Sequence, residues 1–221
     1  FTCPAGTFNS GNDKTDEASG CTECTAGNQC PEGSNIAEYP CHIGTYCPAG
    51  SSFPEFCDAG QTTSTKNEDD INDCNDCGQG HFCTPGSEKV KCPIGTYTDS
   101  TDLGFIWECS RCDAGEACDK LGMITSDKVD CAPGHVCLTG TEYPEQHPCP
   151  AGKESDSISI TLFSDCSTDC PLGFYCPYGS TSTSKDRCPR GHYCLAGTKF
   201  SHQNACPAGT YLWEIGSDDS T

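Results

Sequence analysis

The chain has 221 residues, of which 23 are cysteine, and a net charge of −20. Hydrophobic residues amount to 34%; without cysteine the share falls to roughly a quarter, too little for one large core. Cysteine above about 8–10% marks a disulfide scaffold in an oxidising compartment, extracellular or at a cell surface, and the acidic balance excludes a nucleic-acid footprint and argues against an anionic membrane surface.

A zinc protein is disfavoured, because C-x2-C pairs recur without a second pair or His ligands at finger-like spacing. Instead, 18 of the 23 cysteines have Gly three residues later. A Cys-Pro-x-Gly run reads as a tight turn, since Pro fixes φ and Gly accepts a positive φ. The stretch from Cys170 to Ser180, C-P-L-G-F-Y-C-P-Y-G-S, is the clearest copy of the repeating element. No secretory leader, transmembrane run or lipidation motif is read in the sequence, so we expect a processed or partial chain with no membrane insertion in this segment.

Taken in order, the cysteines resolve into two module types. The A module opens with C-x-x-G and closes 17 or 18 positions later: Cys3 with Cys21, Cys57 with Cys74, Cys92 with Cys109, and Cys149 with Cys166. The B module carries its second cysteine six positions after the opener: Cys24/Cys30, Cys41/Cys47, Cys77/Cys83, Cys112/Cys118, Cys131/Cys137, Cys170/Cys176 and Cys188/Cys194. The order is A-B-B over 3–56, A-B over 57–91, A-B-B over 92–148 and A-B-B over 149–205. A further A opener at Cys206 starts an incomplete unit, 206–221, and leaves that cysteine unpaired. Spacing leaves the B connectivity open, but the unit with one B module fewer keeps an even cysteine count, which favours bridges closed within each module.

The expected fold is small and disulfide-rich, with little regular secondary structure beyond short β-hairpins, arranged as an elongated rod of tandem modules in which each contacts its neighbours. Strand candidates are Gly104 to Glu108, Ser157 to Phe163 and Tyr211 to Ile215. Closing a loop of about 18 residues is worth on the order of 3 kcal/mol in the chain-entropy model, so the bridges take the place of a core.

Aromatics recur five positions after an opener, at Phe8, Tyr46, Phe82, Tyr97, Tyr175, Tyr193 and Tyr211. We read them as rings packed on a disulfide or on the next module, ahead of a ligand-stacking ladder. His81, His135 and His192 share the position four after the opener with Thr45, Thr96, Glu116 and Lys153, which reads as a solvent-facing turn site. The acidic run Glu68, Asp69, Asp70, Asp73 and Asp76 lacks the acid spacing of a calcium loop and reads as solvated. No motif orients a nucleophile, a phosphate loop or a catalytic acid pair, so neither an enzyme nor a cofactor is expected. Hydroxyl clusters make Thr62, Thr63, Thr181 and Thr183 candidate O-glycosylation sites.

The repeated C-P-x-G-[TFH]-[YF] openers, with C-x2-C junctions such as Cys21 to Cys24 and Cys109 to Cys112, resemble the ephrin-receptor-like cysteine-rich repeat. Related loops occur in tumour-necrosis-factor-receptor modules, and long arrays of this kind are similar to large surface proteins of unicellular eukaryotes. The resemblance covers the whole chain and implies an extracellular repeat protein; it brings no ligand site. Likeness to the receptor repeats implies an alternative ladder, Cys24 with Cys41 and Cys30 with Cys47. The extra cysteine in every B module departs from the simple repeat.

The sequence therefore reads as a non-enzymatic extracellular structural protein, part of a surface fibre, filament or coat. Self-association is expected through the A-loop pieces 104–108 and 157–163. The alternative is a receptor or adhesin ectodomain binding a protein ligand.

Overall fold

The computed structural model describes residues 2–9, 11, 20–36 and 39–219. Positions 1, 10, 12–19 and 37–38 of the expected first unit, and 220–221 of the last, lie outside the described residues. The fold is disulfide-rich and mostly non-helical. Among the described residues, the named elements are two-residue strands in antiparallel hairpins and four three-residue 3₁₀ turns.

Eleven disulfides join the cysteines within modules, never between them. The A bridges are Cys3–Cys21, Cys57–Cys74, Cys92–Cys109 and Cys149–Cys166. The B bridges are Cys24–Cys30, Cys41–Cys47, Cys77–Cys83, Cys112–Cys118, Cys131–Cys137, Cys170–Cys176 and Cys188–Cys194. The interlocked ladder is absent from this set, and Cys206 is a free thiol.

Each module begins with the turn that the C-x-x-G spacing calls for. The residue four after the opener donates its N–H to the carbonyl one after it, as Thr7 does to Pro4 at 3.1 Å and Thr45 to His42 at 3.1 Å. The chain then runs out for two residues and returns to pair with the two residues before the next opener. Thr7–Phe8 pairs with Thr22–Glu23, Thr45–Tyr46 with Glu55–Phe56, and Phe174–Tyr175 with Asp186–Arg187. The strands are this short because each hairpin ends at a bridge.

One hydrogen bond recurs at every junction. The opener N–H donates to the turn-glycine carbonyl of the preceding module at 2.8–3.1 Å: Cys24 to Gly6, Cys41 to Gly27, Cys57 to Gly44, and so on through Cys206 to Gly191. Where a B module follows, the turn glycine also donates its N–H to the second cysteine of that module, as Gly95 does to Cys118 at 2.8 Å. Gly95 has φ of 77°, and a Cβ there would lie 2.9 Å from the Gly140 carbonyl. A side chain is thus excluded both by conformation and by the neighbouring module's backbone.

Among the described residues, two non-glycine residues take the left-handed conformation, Asn67 and Ser159. Both lie ten residues into an A loop and donate their N–H groups to the opener carbonyl of the preceding module, Asn67 to Cys41 and Ser159 to Cys131. Gly216 repeats the contact with Cys188, ten residues after Cys206. The next residue in the same loops, Glu68, Ile160 or Ser217, accepts from Cys47, Cys137 or Cys194. These long-range bonds order the part of each A loop that lies beyond its two-residue strand.

Burial follows the same rule. The residue five after an opener packs on the disulfide of the next module: Tyr46 on Cys57–Cys74, Phe82 on Cys92–Cys109, and Tyr97 on Cys112–Cys118 with Met123. Ala117 and Val136 occupy the same position and pack on Cys131–Cys137 and Cys149–Cys166. Most of the buried hydrophobic residues are cysteines.

The strand candidates 104–108, 157–163 and 211–215 are corrected. Ile106–Glu108 and Phe163–Asp165 are 3₁₀ turns, Ile160 makes only an isolated bridge to Val136, and 211–215 contains no strand. A carboxylate before the closing cysteine explains the turns. Glu108 Oε2 accepts from the Gly104 and Phe105 N–H groups at 2.7 and 2.8 Å, and Asp165 accepts from Leu162. Such reach-back capping ties up backbone donors that a strand would present to a partner.

The chain divides into two compact units, Phe1–Pro93 with Thr98–Ser110, and Ile94–Tyr97 with Arg111–Thr221.

Candidate functional site

The recurrent surface feature is the tip of the A loop, where the 3₁₀ turn precedes the closing cysteine. Because the turn closes on itself through its own carboxylate, its apolar side chains point outward. Ile71, Ile106, Trp107, Leu162 and Phe163 are all exposed. Trp107 is 74% exposed and stacks on Phe105 with centroids 4.5 Å apart and planes 5° from parallel. Stacking holds the indole in one orientation, so little side-chain freedom remains to be lost on contact.

In the acidic run, Asp70 Oδ1 accepts from the Asn72 N–H at 2.8 Å, Asp73 Oδ2 from the Asp70 N–H at 3.2 Å, Glu68 from the Thr65 hydroxyl and Asp76 from the Thr101 hydroxyl. Glu68, Asp70 and Asp73 cap and brace the loop that presents Ile71, while Asp76 ties the strand after Cys74 to Thr101 in the next A loop.

The position four after the opener is not solvent-facing. Thr45 is fully buried, and His81, Thr96, Glu116, His135, Lys153 and His192 are half-buried. The hairpin turns the side chain over its own turn, where Thr45 donates its hydroxyl to the His42 carbonyl at 2.8 Å. The three histidines instead place Nδ1 on the carbonyl two residues back, at Gln79, Pro133 and Arg190.

Two of the candidate glycosylation sites are also corrected. Thr62 and Thr63 are buried, Thr63 to 1%, and their hydroxyls are engaged: Thr62 donates to the Ser87 carbonyl, while Thr63 accepts the Gly44 N–H and donates to Thr65. Thr183 is exposed and Thr181 half-buried in a turn closed by Ser184.

A pair of lysine cages lies outside the sequence reading. The Lys128 side chain is 5% exposed; its ammonium pairs with Asp113 and with Glu116 at 3.1 Å and lies 3.9 Å from the Tyr97 ring centroid. Burial disfavours the charged ammonium, but the hydrogen bonds to Asp113 and Glu116 outweigh it and hold Lys128 above the ordinary lysine range. The hydrogen bond from Lys128 in turn holds the Asp113 carboxyl below its ordinary value. Lys185 repeats the arrangement, pairing with Glu154 at 3.0 Å and lying 5.5 Å from the Phe174 ring centroid. Both lysines lie three residues before an opener, Cys131 and Cys188, a signal visible once the modules are aligned.

No helix among the described residues is long and apolar enough to cross a membrane. Eleven disulfides belong to an oxidising, extracytoplasmic compartment. No family model and no curated protein matches the chain.

Proposed function

We propose that the protein is a non-enzymatic structural component of the cell exterior, a disulfide-stapled segment of a surface fibre, filament or coat that self-associates through its A-loop tips. The observation that carries this reading is recurrence: the same opener-to-glycine hydrogen bond at each junction, and an exposed apolar tip in successive A loops. Equivalent surfaces on equivalent modules favour contacts that repeat, and heterologous contacts that do not close build open assemblies. The resemblance to ephrin-receptor-like repeats belongs to this reading as support for a tandem extracellular module. The test is electron microscopy with mass per particle on native material purified without reductant. Open assemblies support the proposal. A monodisperse monomer at every concentration, with charge substitutions at Ile106 and Leu162 abolishing capture of a soluble ligand, supports the receptor or adhesin instead.

A further inference from the structure

The B module opened by Cys188, within the second compact unit, brings two histidines together. The Tyr193 N–H donates to the Asn204 carbonyl at 3.0 Å, and the Asn204 amide donates to the Tyr193 carbonyl at 3.3 Å, so the segments carrying His192 and His202 run side by side. Gln203 closes the intervening turn: its Oε1 accepts from the Lys199 N–H at 2.9 Å and its own N–H donates to the Phe200 carbonyl at 3.2 Å. The two imidazoles meet with ring centroids 4.6 Å apart and planes 83° from parallel. His192 is half-buried and His202 exposed.

Each ring is held by its Nδ1. His192 Nδ1 lies 3.3 Å from the Arg190 carbonyl, which only accepts, so in the neutral ring this nitrogen carries the proton and Nε2 keeps the lone pair. His202 Nδ1 lies 2.7 Å from the Ser201 hydroxyl, which can accept in the same way. An oxygen acceptor behind one imidazole nitrogen is the support with which metal-bound histidines present the other. The ring separation fits as well. With a metal–nitrogen bond of about 2.0–2.1 Å and a ring centre about 1.2 Å behind the nitrogen, two imidazoles at a right angle have centroids about 4.5 Å apart, and at a tetrahedral angle about 5.2 Å.

We propose that His192 and His202 chelate one divalent transition-metal ion through their two Nε2 atoms, and that it is an ion with a preference for right-angled coordination, Cu²⁺ or Ni²⁺. Among the described residues no third His, Cys, Asp or Glu joins the pair, so water completes the coordination shell. Arg190 and Lys199 are exposed on the same module and repel a cation, so coordinate bonds to nitrogen carry the binding, and oxygen-seeking Ca²⁺ and Mg²⁺ are not bound here. The other histidines four residues after an opener lack this arrangement. His81 stands opposite Lys91, and His135 Nε2 lies against Gly179, where a Cβ would come within 3.1 Å of it; in the module of His135 the place of His202 is taken by Glu145. The site is independent of the self-association proposed above.

The test is nuclear magnetic resonance of the histidine rings in the oxidised wild-type chain, titrated with Ni²⁺ at high salt and in excess Mg²⁺, which screen and occupy the acidic surface. Paramagnetic broadening should begin at His192 and His202 and leave the other four histidines sharp. By calorimetry His202→Ala, a change at an exposed side chain, should weaken Ni²⁺ binding about tenfold or more, the scale on which even a supporting partner of a ligand counts, whereas Cys206→Ser should bind as wild type. Equal broadening of all the histidines, affinity that survives His202→Ala, or affinity lost in Cys206→Ser would each overturn the site.

Discussion

The ammonium of Lys128 lies over the face of Tyr97, 3.9 Å from the ring centroid, and the Tyr97 hydroxyl donates to the Asp113 carboxylate at 3.2 Å. One lysine thereby ties an A loop to the B module that follows it. Its side chain is almost wholly buried, whereas Asp113 is 59% exposed, so water screens the pair and its Coulomb contribution is modest. The ring contact and the lysine stem hold the junction as much as the charge does.

This cage has a pH signature. Asp113 is held below its ordinary value, so its contribution is present above the unfolded carboxylate range, about 3.9, and is lost as pH falls through the depressed value. Lys128 is held above its ordinary value, so its contribution is full below about 10.4 and is lost as pH rises through the raised one. Scanning calorimetry without reductant should show wild type losing stability on acidification into the carboxylate range. Lys128→Met should flatten that acid limb; an unchanged limb would show that the cage does not contribute to it.

Gly95→Ala should loosen the junction between the modules opened by Cys92 and Cys112. The left-handed backbone alone costs about 1–2 kcal/mol for a residue with a side chain, and the new methyl would meet the Gly140 carbonyl. The Cys112 amide, bonded to the Gly95 carbonyl at 2.9 Å, should exchange with deuterium roughly tenfold faster. Unaltered exchange would mean that the turn tolerates the methyl.

Opening one bridge should be felt locally. Replacing Cys131 and Cys137 together by alanine removes a short loop closure worth about 2 kcal/mol in the chain-entropy model. Exchange should rise at Val136 and Cys149 and stay unchanged at Cys24, because stability in such an array is a sum over units and neighbours. Peptide mapping should recover the within-module pairs. Free thiols at Cys92 and Cys109 would refute that pairing.

Glycopeptide mapping of native material should find no sugar on Thr62 or Thr63, whose hydroxyls are buried and bonded. Any O-glycan in these clusters should sit at the exposed Thr183. A glycan on Thr63 would require the Gly44 contact to open.

The cysteine spacing by itself determined the module order and the turns, because a C-x-x-G turn needs only local backbone geometry, and the composition determined the absence of a large core, since few apolar side chains remain once cysteine is set aside; the spacing left open which cysteines bond within the B modules. The acid before the closing cysteine, as at Glu108 and Asp165, was equally legible; apolar runs there nevertheless read as strands, since alternation does not reveal that a carboxylate has claimed the backbone donors. Only the tertiary structure decided that Thr45, Thr62 and Thr63 are buried, that Ala117 and Val136 do the work of rings, and that Lys128 and Lys185 are caged. Those outcomes depend on which neighbouring module lies above a residue, and contact across a junction is a property of packed modules rather than of any spacing along the chain.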